Sequence, residues 1–158
     1  MTESPAPLQG LALAQIAIGV RDIDASCRRW AAVLGVDVPA IVEVEAGSEV
    51  RMSHRGRPSD ARARLAFFDL GAVQLELVEP IGEPSTWQEG LDRNGEAIHH
   101  LAFWTTNMDD AAAGLADHGA KLVQRGDMGS GQYAYFDAGE TLGCVVELLE
   151  SERTGDLS

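Results

Sequence analysis

Residues Leu13 to Val20 alternate, with Ile16, Ile18 and Val20 on one face and Gln15, Ala17 and Gly19 on the other. A period of two predicts a strand that packs its larger side chains one way. Asp22 then stands where a helix N-cap is expected. Ile23, Cys27, Trp30, Ala31 and Leu34 follow at helical spacing, and Gly35 ends the run. Ile41 to Val44 predicts a second strand. From Glu45 to Ala63 no period survives, and the Gly, Ser and Pro content predicts a long loop with room for one short strand. Leu65 to Asp69 and Ala72 to Glu79 read as two strands about Gly71. Pro80, Gly82 and Pro84 mark a linker, Ser85 caps a short helix over 86–91, and Asn94-Gly95 turns the chain into the alternating run Ile98 to Trp104. That run begins with two adjacent histidines, His99 and His100. Asn107 caps a further helix with Met108, Ala112, Leu115 and Ala116 as its stripe and Gly119 as its stop. Lys121 to Gln124, Gln132 to Asp137 and Gly143 to Leu149 complete the strands.

The order of elements repeats. Gln15-Ile16-Ala17-Ile18 returns as His100-Leu101-Ala102-Phe103, Asp24 as Asp109 and Ala31 as Ala116. Ala66-Phe67-Phe68-Asp69-Leu70-Gly71 returns as Ala134-Tyr135-Phe136-Asp137-Ala138-Gly139. After Glu140, Thr141 and Leu142, which the first copy lacks, Leu75-Glu76-Leu77-Val78-Glu79 returns as Val146-Glu147-Leu148-Leu149-Glu150. The chain is therefore a duplicated β-α-β-β-β unit. The predicted fold is α+β, two tandem βαβββ modules forming a curved mixed sheet around a metal-binding cavity. The expected divisions are a loose arm over 1–10, modules over 11–80 and 97–150, a linker over 81–96 and a polar tail over 151–158.

The two copies also align their polar exceptions. Gln15 and His100 are equivalent in the first strand of each unit, and Glu76 and Glu147 in the last. Each lies opposite the face with the largest apolar side chains, so all four are expected on the concave side. Adjacent strand residues point to opposite faces, which places His99 with Leu101 and Phe103, away from His100. Two carboxylates buried together repel and lose hydration. A divalent cation resolves this, with the two carboxylates, the Gln15 oxygen and a His100 nitrogen as four ligands. The alternative is that Glu76 or Glu147 reaches solvent at a sheet edge.

Charge narrows the partners. The 158 residues carry a formal charge of −13, which argues against nucleic acid and against an anionic membrane surface. Within this acidic chain Arg51, Arg55, Arg57, Arg62 and Arg64 cluster in and beside the unpatterned stretch, with His54 among them. They read either as a solvated loop or as an anion-binding loop, in which Arg51, Arg55, Arg57 and Arg64 are the candidate substrate contacts. Cys27 and Cys144 have neither disulfide nor metal spacing and read as reduced thiols. No apolar run reaches the length of a membrane span, and Leu11 to Val20 lacks a preceding basic residue and contains Gln15, a poor signal peptide. The expected location is the cytoplasm, and the expected partner is a small-molecule substrate.

This duplicated arrangement resembles the vicinal oxygen chelate superfamily, in which paired βαβββ modules form a curved sheet around a metal. The resemblance covers roughly Leu11 to Glu150. Glu79-Pro80-Ile81-Gly82, followed by Asn94-Gly95-Glu96-Ala97-Ile98-His99-His100-Leu101-Ala102-Phe103, is similar to the segment joining the modules of methylmalonyl-CoA epimerases. The resemblance implies metal positions at Gln15, Glu76, His100 and Glu147, with His99 matching a family position that is not a ligand. Those epimerases generally have His where Gln15 stands and often Gln where Glu76 stands. The set here instead resembles one class of glyoxalase I, which isomerises a glutathione hemithioacetal.

Both relatives imply a metal-dependent isomerase or epimerase that moves a proton beside a carbonyl, on an acyl thioester or related substrate. Glu147 is the preferred base and Glu76 the alternative. A second acid/base for epimerisation would come from Glu76 or from Glu43, Glu45 and Glu49. Zn, Co, Ni and Mn are not distinguished. A homodimer is expected, with each site built either within one chain or across the pair. A different lyase of this family, and a ligand-sequestering resistance protein, are the other expectations the pattern leaves open.

Overall fold

A computed structural model describes residues 6–44 and 51–151. Glu45, Glu49, the first five residues of the N-terminal arm and the tail beyond Ser151 lie outside the described residues. The elements are β1 (Leu13–Gly19), α1 (Ile23–Leu34), β2 (Val42–Glu43), β3 (Ser53–His54), β4 (Arg57–Pro58), β5 (Arg62–Asp69), β6 (Gln74–Ile81), α2 (Thr86–Asn94), β7 (Ile98–Thr105), α3 (Met108–Asp117), β8 (Lys121–Asp127), β9 (Gly131–Ala138) and β10 (Cys144–Ser151). The strands form one curled mixed sheet in the order β2-β5-β6-β1-β7-β10-β9-β8-β3-β4.

The duplication is visible in that order. One half runs β1-β6-β5-β2 and the other β7-β10-β9-β8. Each has a parallel first pair and antiparallel pairs beyond it. The halves join through antiparallel β1 and β7. Helices α1 and α3 each cover the convex face of their own half. Beneath α1 lie Ile23, Cys27 and Ala31 against Ala66, Phe68, Leu75 and Leu77. Beneath α3 lie Met108, Ala111 and Leu115 against Ala134, Phe136, Val146 and Leu148. The α3 stripe thus runs through Ala111, whereas the expected Ala116 is exposed. Met108 and Leu115 of the expected stripe are buried and Ala112 packs half-buried beside them, so the buried face is rotated from the Ala116 side toward Ala111.

Asp22, Ser85 and Asn107 cap the three helices as their residue types predict, accepting from Ala25, Gln88 and Asp110. A second cap is duplicated too. The Glu79 carboxylate accepts from the Ile23 amide at 2.8 Å, and the Glu150 carboxylate from the Met108 amide at 2.6 Å. Each module's last strand therefore carries one Glu into the concavity and, three residues on, another to the N-terminus of its helix. Charge there is favourable, because the first-turn amides lack intrahelical acceptors.

The stretch expected to be a long loop holds a hairpin instead, within its described part. β3 and β4 are joined by Arg55-Gly56, both at positive φ (51° and 79°), the twist a two-residue turn demands. β3 pairs with β8 of the other half and so extends the far edge of the sheet. No helix among the described residues is long and apolar enough to cross a membrane.

Candidate metal centre

The registers of the four central strands set two rows across the concave face. In one, Glu76 of β6, Ala17 of β1 and His100 of β7 are successive partners. In the next, Gln15 of β1, Ala102 of β7 and Glu147 of β10 are. Long polar side chains therefore alternate with alanines. Strands two apart lie about 10 Å from each other on a flat sheet. Curling tilts the long side chains inward over Ala17 and Ala102, which are fully buried and too small to block them.

Glu76, His100 and Glu147 meet in this way within one chain, their ligand atoms all within 4.8 Å of one another. His100 Nε2 lies 2.9 Å from Glu147 Oε2 and 3.3 Å from Glu76 Oε2. These separations bring strong charge attraction, yet the three atoms are buried without a hydrogen-bond partner. Burial works against the His100 imidazolium, but the two carboxylates, Glu147 first, more than offset it and hold the ring up to about 9. Burial also raises Glu76, against the pull of His100 and with the repulsion of Glu147. Three buried, unpartnered atoms facing one another form a donor set of two carboxylate oxygens and one imidazole nitrogen. That set fits a divalent ion. Gln15 is half-buried in β1, and its amide nitrogen donates to Oε1 of Gln74 at 3.2 Å. Its register with Ala102, beside Glu147, puts it on the same face as the three converging side chains.

His99 departs from the alternation. Ala17 pairs with His100 and Ile18 with Ile98, so His99 is the extra residue of a β-bulge. The bulge turns its ring toward His100 instead of setting it on the face of Leu101 and Phe103. The two rings meet edge to face at 5.0 Å, with Nδ1 to Nδ1 at 2.8 Å. On its other side, His99 Nε2 lies 2.9 Å from the Thr86 carbonyl oxygen and 3.3 Å from the Thr86 hydroxyl. Burial, reinforced by the His100 charge, holds His99 down at about 3, so its ring is neutral. Nothing in the alternating pattern announces the bulge.

Tyr135 also joins the site with no polar exception in the pattern to mark it, although the repeat sets it on Phe67. Each of these aromatics pairs across the sheet with its module's inward Glu, Tyr135 with Glu147 and Phe67 with Glu76. Its hydroxyl accepts from the Trp87 indole at 3.1 Å, and its ring lies 4.9 Å from that of His100. Trp87, Tyr133, Val123 and Met52 pack into the same concave core, which keeps bulk water from the ligand cluster.

The arginines disperse. Arg51 pairs with Asp127, Arg55 with Glu89, and Arg64 with Asp24 and Glu79, while Arg57 is exposed on β4. Of the four, Arg55 lines a cavity of about 600 Å³, which also meets Arg93, Lys121, Val145 and His99. The cavity backs onto His99, and none of the four candidate ligands lines it. Glu43 pairs with Arg62 at the sheet edge, on the opposite flank from β10. Cys27 and Cys144 are free, both raised above the ordinary thiol range first by burial.

Comparison with known proteins agrees with this architecture. A family model, the glyoxalase/bleomycin resistance protein/dioxygenase superfamily, matches residues 14–136. The uncharacterized protein YqjC of Bacillus subtilis (strain 168) is 32% identical over 101 residues, spanning 61% of this chain and 71% of that protein. A variant of Streptomyces coelicolor methylmalonyl-CoA epimerase, solved in complex with 2-nitronate-propionyl-CoA, superposes with a TM-score of 0.62 at 28% identity, covering 91% of this chain and 100% of that one. A methylmalonyl-CoA epimerase in complex with methylmalonyl-CoA and NH4+ superposes with a TM-score of 0.61, again at 28% identity, over 89% of this chain and 94% of that one. With its duplicated half-sheets and a family match over most of its length, the chain belongs to the glyoxalase/bleomycin resistance protein/dioxygenase superfamily.

Proposed function

We propose that the protein is a metal-dependent isomerase of the epimerase type, moving a proton on a carbon next to the carbonyl of an acyl thioester. The observation that carries this reading is the buried convergence of Glu76, His100 and Glu147, whose facing atoms form ion pairs with one another and no hydrogen bond. The likeness to methylmalonyl-CoA epimerases adds the substrate class. Gln15, Glu76, His100 and Glu147 would hold a divalent ion. When bound, such an ion supplies positive charge that favours an enolate oxygen over a neutral carbonyl.

The chain's own groups account for the proton. Glu147 takes the carbon-bound proton, and the electron pair of that C–H bond passes to the carbonyl oxygen. Glu76 stands on the other flank of His100, its strand β6 separated from β10 by β1 and β7 in the sheet order. Released from the ion and protonated, its carboxyl would return a proton to the opposite face of the carbon. Removal by one carboxylate and return by the other inverts the centre, whereas return by the same carboxylate only exchanges the hydrogen. Arg55, Arg93 and Lys121 at the 600 Å³ cavity offer cationic positions for a phosphate or carboxylate of the substrate.

A second reading is favoured by the ligand set itself. Gln15 with a carboxylate at both Glu76 and Glu147 suits the isomerisation of a hemithioacetal, as in glyoxalase I, by the same proton transfer. Solvent-deuterium incorporation separates the two. The metal-loaded protein is expected to exchange the hydrogen between the carbonyls of a methyl-branched malonyl thioester, and Glu147→Gln is expected to abolish exchange. Exchange only into a glutathione hemithioacetal would select the second reading. Exchange into neither by metal-loaded protein, or exchange that survives both chelation and Glu147→Gln, would overturn the proposal.

A further inference from the structure

We propose that His99 is a positioning residue, which accepts the Nδ1 proton of His100 and thereby presents the Nε2 lone pair of His100 to the metal. The inference rests on the reading of His100 as a ligand. It follows from which atoms can donate. The Thr86 carbonyl oxygen only accepts, so His99 Nε2, at 2.9 Å, must carry the ring's hydrogen. In a neutral ring the other nitrogen then holds a lone pair. His99 Nδ1 is therefore an acceptor, and the His100 Nδ1 facing it at 2.8 Å must be the donor. That assigns the proton of a neutral His100 to Nδ1 and leaves Nε2 bare, aimed at Glu76 and Glu147.

A metal-bound imidazole usually donates its second N–H to a carboxylate, a carbonyl or water, which fixes the ring and raises its basicity. Here the acceptor is a second imidazole, fixed in turn by the backbone of a helix. The local structure is arranged for it. The β7 bulge turns His99 onto the His100 side, and Ser85 caps α2 so that Thr86 sits at its first position. Gly90, one turn on, has no side chain where a Cβ would come within 2.8 Å of His99 Cδ2. Glycine is unfavourable in a helix interior relative to alanine, and here its absent methyl is what lets the His99 ring lie against α2.

Four measurements test the assignment with Zn²⁺ as probe. In uniformly ¹⁵N-labelled, zinc-loaded protein, a scalar coupling across the N–H···N bond is expected between the two Nδ1 nuclei, with His100 Nδ1 protonated. His99→Leu removes the acceptor and is expected to weaken zinc binding about 10- to 100-fold. His99→Asn, whose side-chain oxygen falls near the place of Nδ1, is expected to restore affinity to within a few-fold of the parent. Gly90→Ala displaces the ring without changing its chemistry and is expected to lower affinity in the same direction as His99→Leu. Should His99→Leu fail to fold, the coupling and the glycine variant still decide. A zinc-loaded protein with His100 protonated on Nε2, or His99→Leu binding zinc like the parent, would overturn this inference while leaving the metal site intact. A parent protein that binds no zinc would remove both.

Discussion

Acidification should expel the metal, and His100 sets the size of the effect. Its ring is completely buried and held up to about 9 by Glu147 and Glu76. At pH 7, roughly 99% of metal-free chains then carry the proton that Nε2 must lose to bind an ion. Each ion bound releases about one proton from His100, so apparent affinity rises about tenfold per pH unit from 6 to 8. Glu76, raised by burial, adds further release on the acid side.

The metal-free fold responds with the opposite sign. The folded value of His100 lies above its ordinary 6.5, so this proton stabilises the fold fully below pH 6.5 and the contribution is lost as pH rises through about 9. A gap of about 2.5 units corresponds to roughly 3 kcal/mol. Stabilisation by a fixed excess of metal grows over the same range, because tighter binding favours the folded state. Calorimetric titration with Zn²⁺ at pH 7, in buffers of different ionisation heat, counts the protons. Urea unfolding at pH 6.5, 7.5 and 8.5, with metal and without, reads the two trends. No proton released at pH 7, or metal-free and metal-loaded proteins that change in parallel with pH, would refute the account of the cluster.

Other perturbations have equally definite outcomes. Ala17→Leu puts a large side chain between Glu76 and His100 at a fully buried position. It is expected to cost about 1–3 kcal/mol by overpacking and to abolish metal binding; undiminished binding in equilibrium dialysis would contradict the two-row arrangement. Glu79→Ala and Glu150→Ala each strip the first amide of a helix of its acceptor. Each is expected to lose about 1 kcal/mol in urea unfolding, with similar losses in the two modules. Tyr135→Phe leaves the buried Trp87 indole N–H without its acceptor. The expected cost is about 1–3 kcal/mol, with a shifted tryptophan emission, and an unchanged spectrum would count against that bond.

The parts of the fold that rest on local periodicity and on duplication were legible in the chain. Gln15 and His100 share a place in the two first strands, as do Glu76 and Glu147 in the last. A sheet that curls one way brings such places together, whatever the loops do. The parts that rest on pairing between distant segments were not legible. His99 changes sides because β1 and β7 pair with a bulge between Ile98 and His100, a choice made by two strands jointly. The 53–58 hairpin has strands of two residues, too short for any period, and its partner β8 belongs to the other module. The arginines could be counted but not placed. Charge alone does not say that Arg64 turns to Asp24 and Glu79 at α1 while Arg55 borders the cavity. The second Glu of each module was visible in the repeat, but its capping role needed the strand to end beside the helix N-terminus.

Gln15, Glu76, His100 and Glu147 are proposed to hold one divalent ion within a single chain. Metal analysis of the purified protein, after dialysis against Zn²⁺, Co²⁺, Ni²⁺ or Mn²⁺ and removal of the free ion, tests it most directly. One ion per chain is expected for at least one of these metals, with its loss in both His100→Ala and Glu147→Gln and the folded state retained by circular dichroism. A protein that retains none of the four metals, or retains one equally well in both variants, would contradict it.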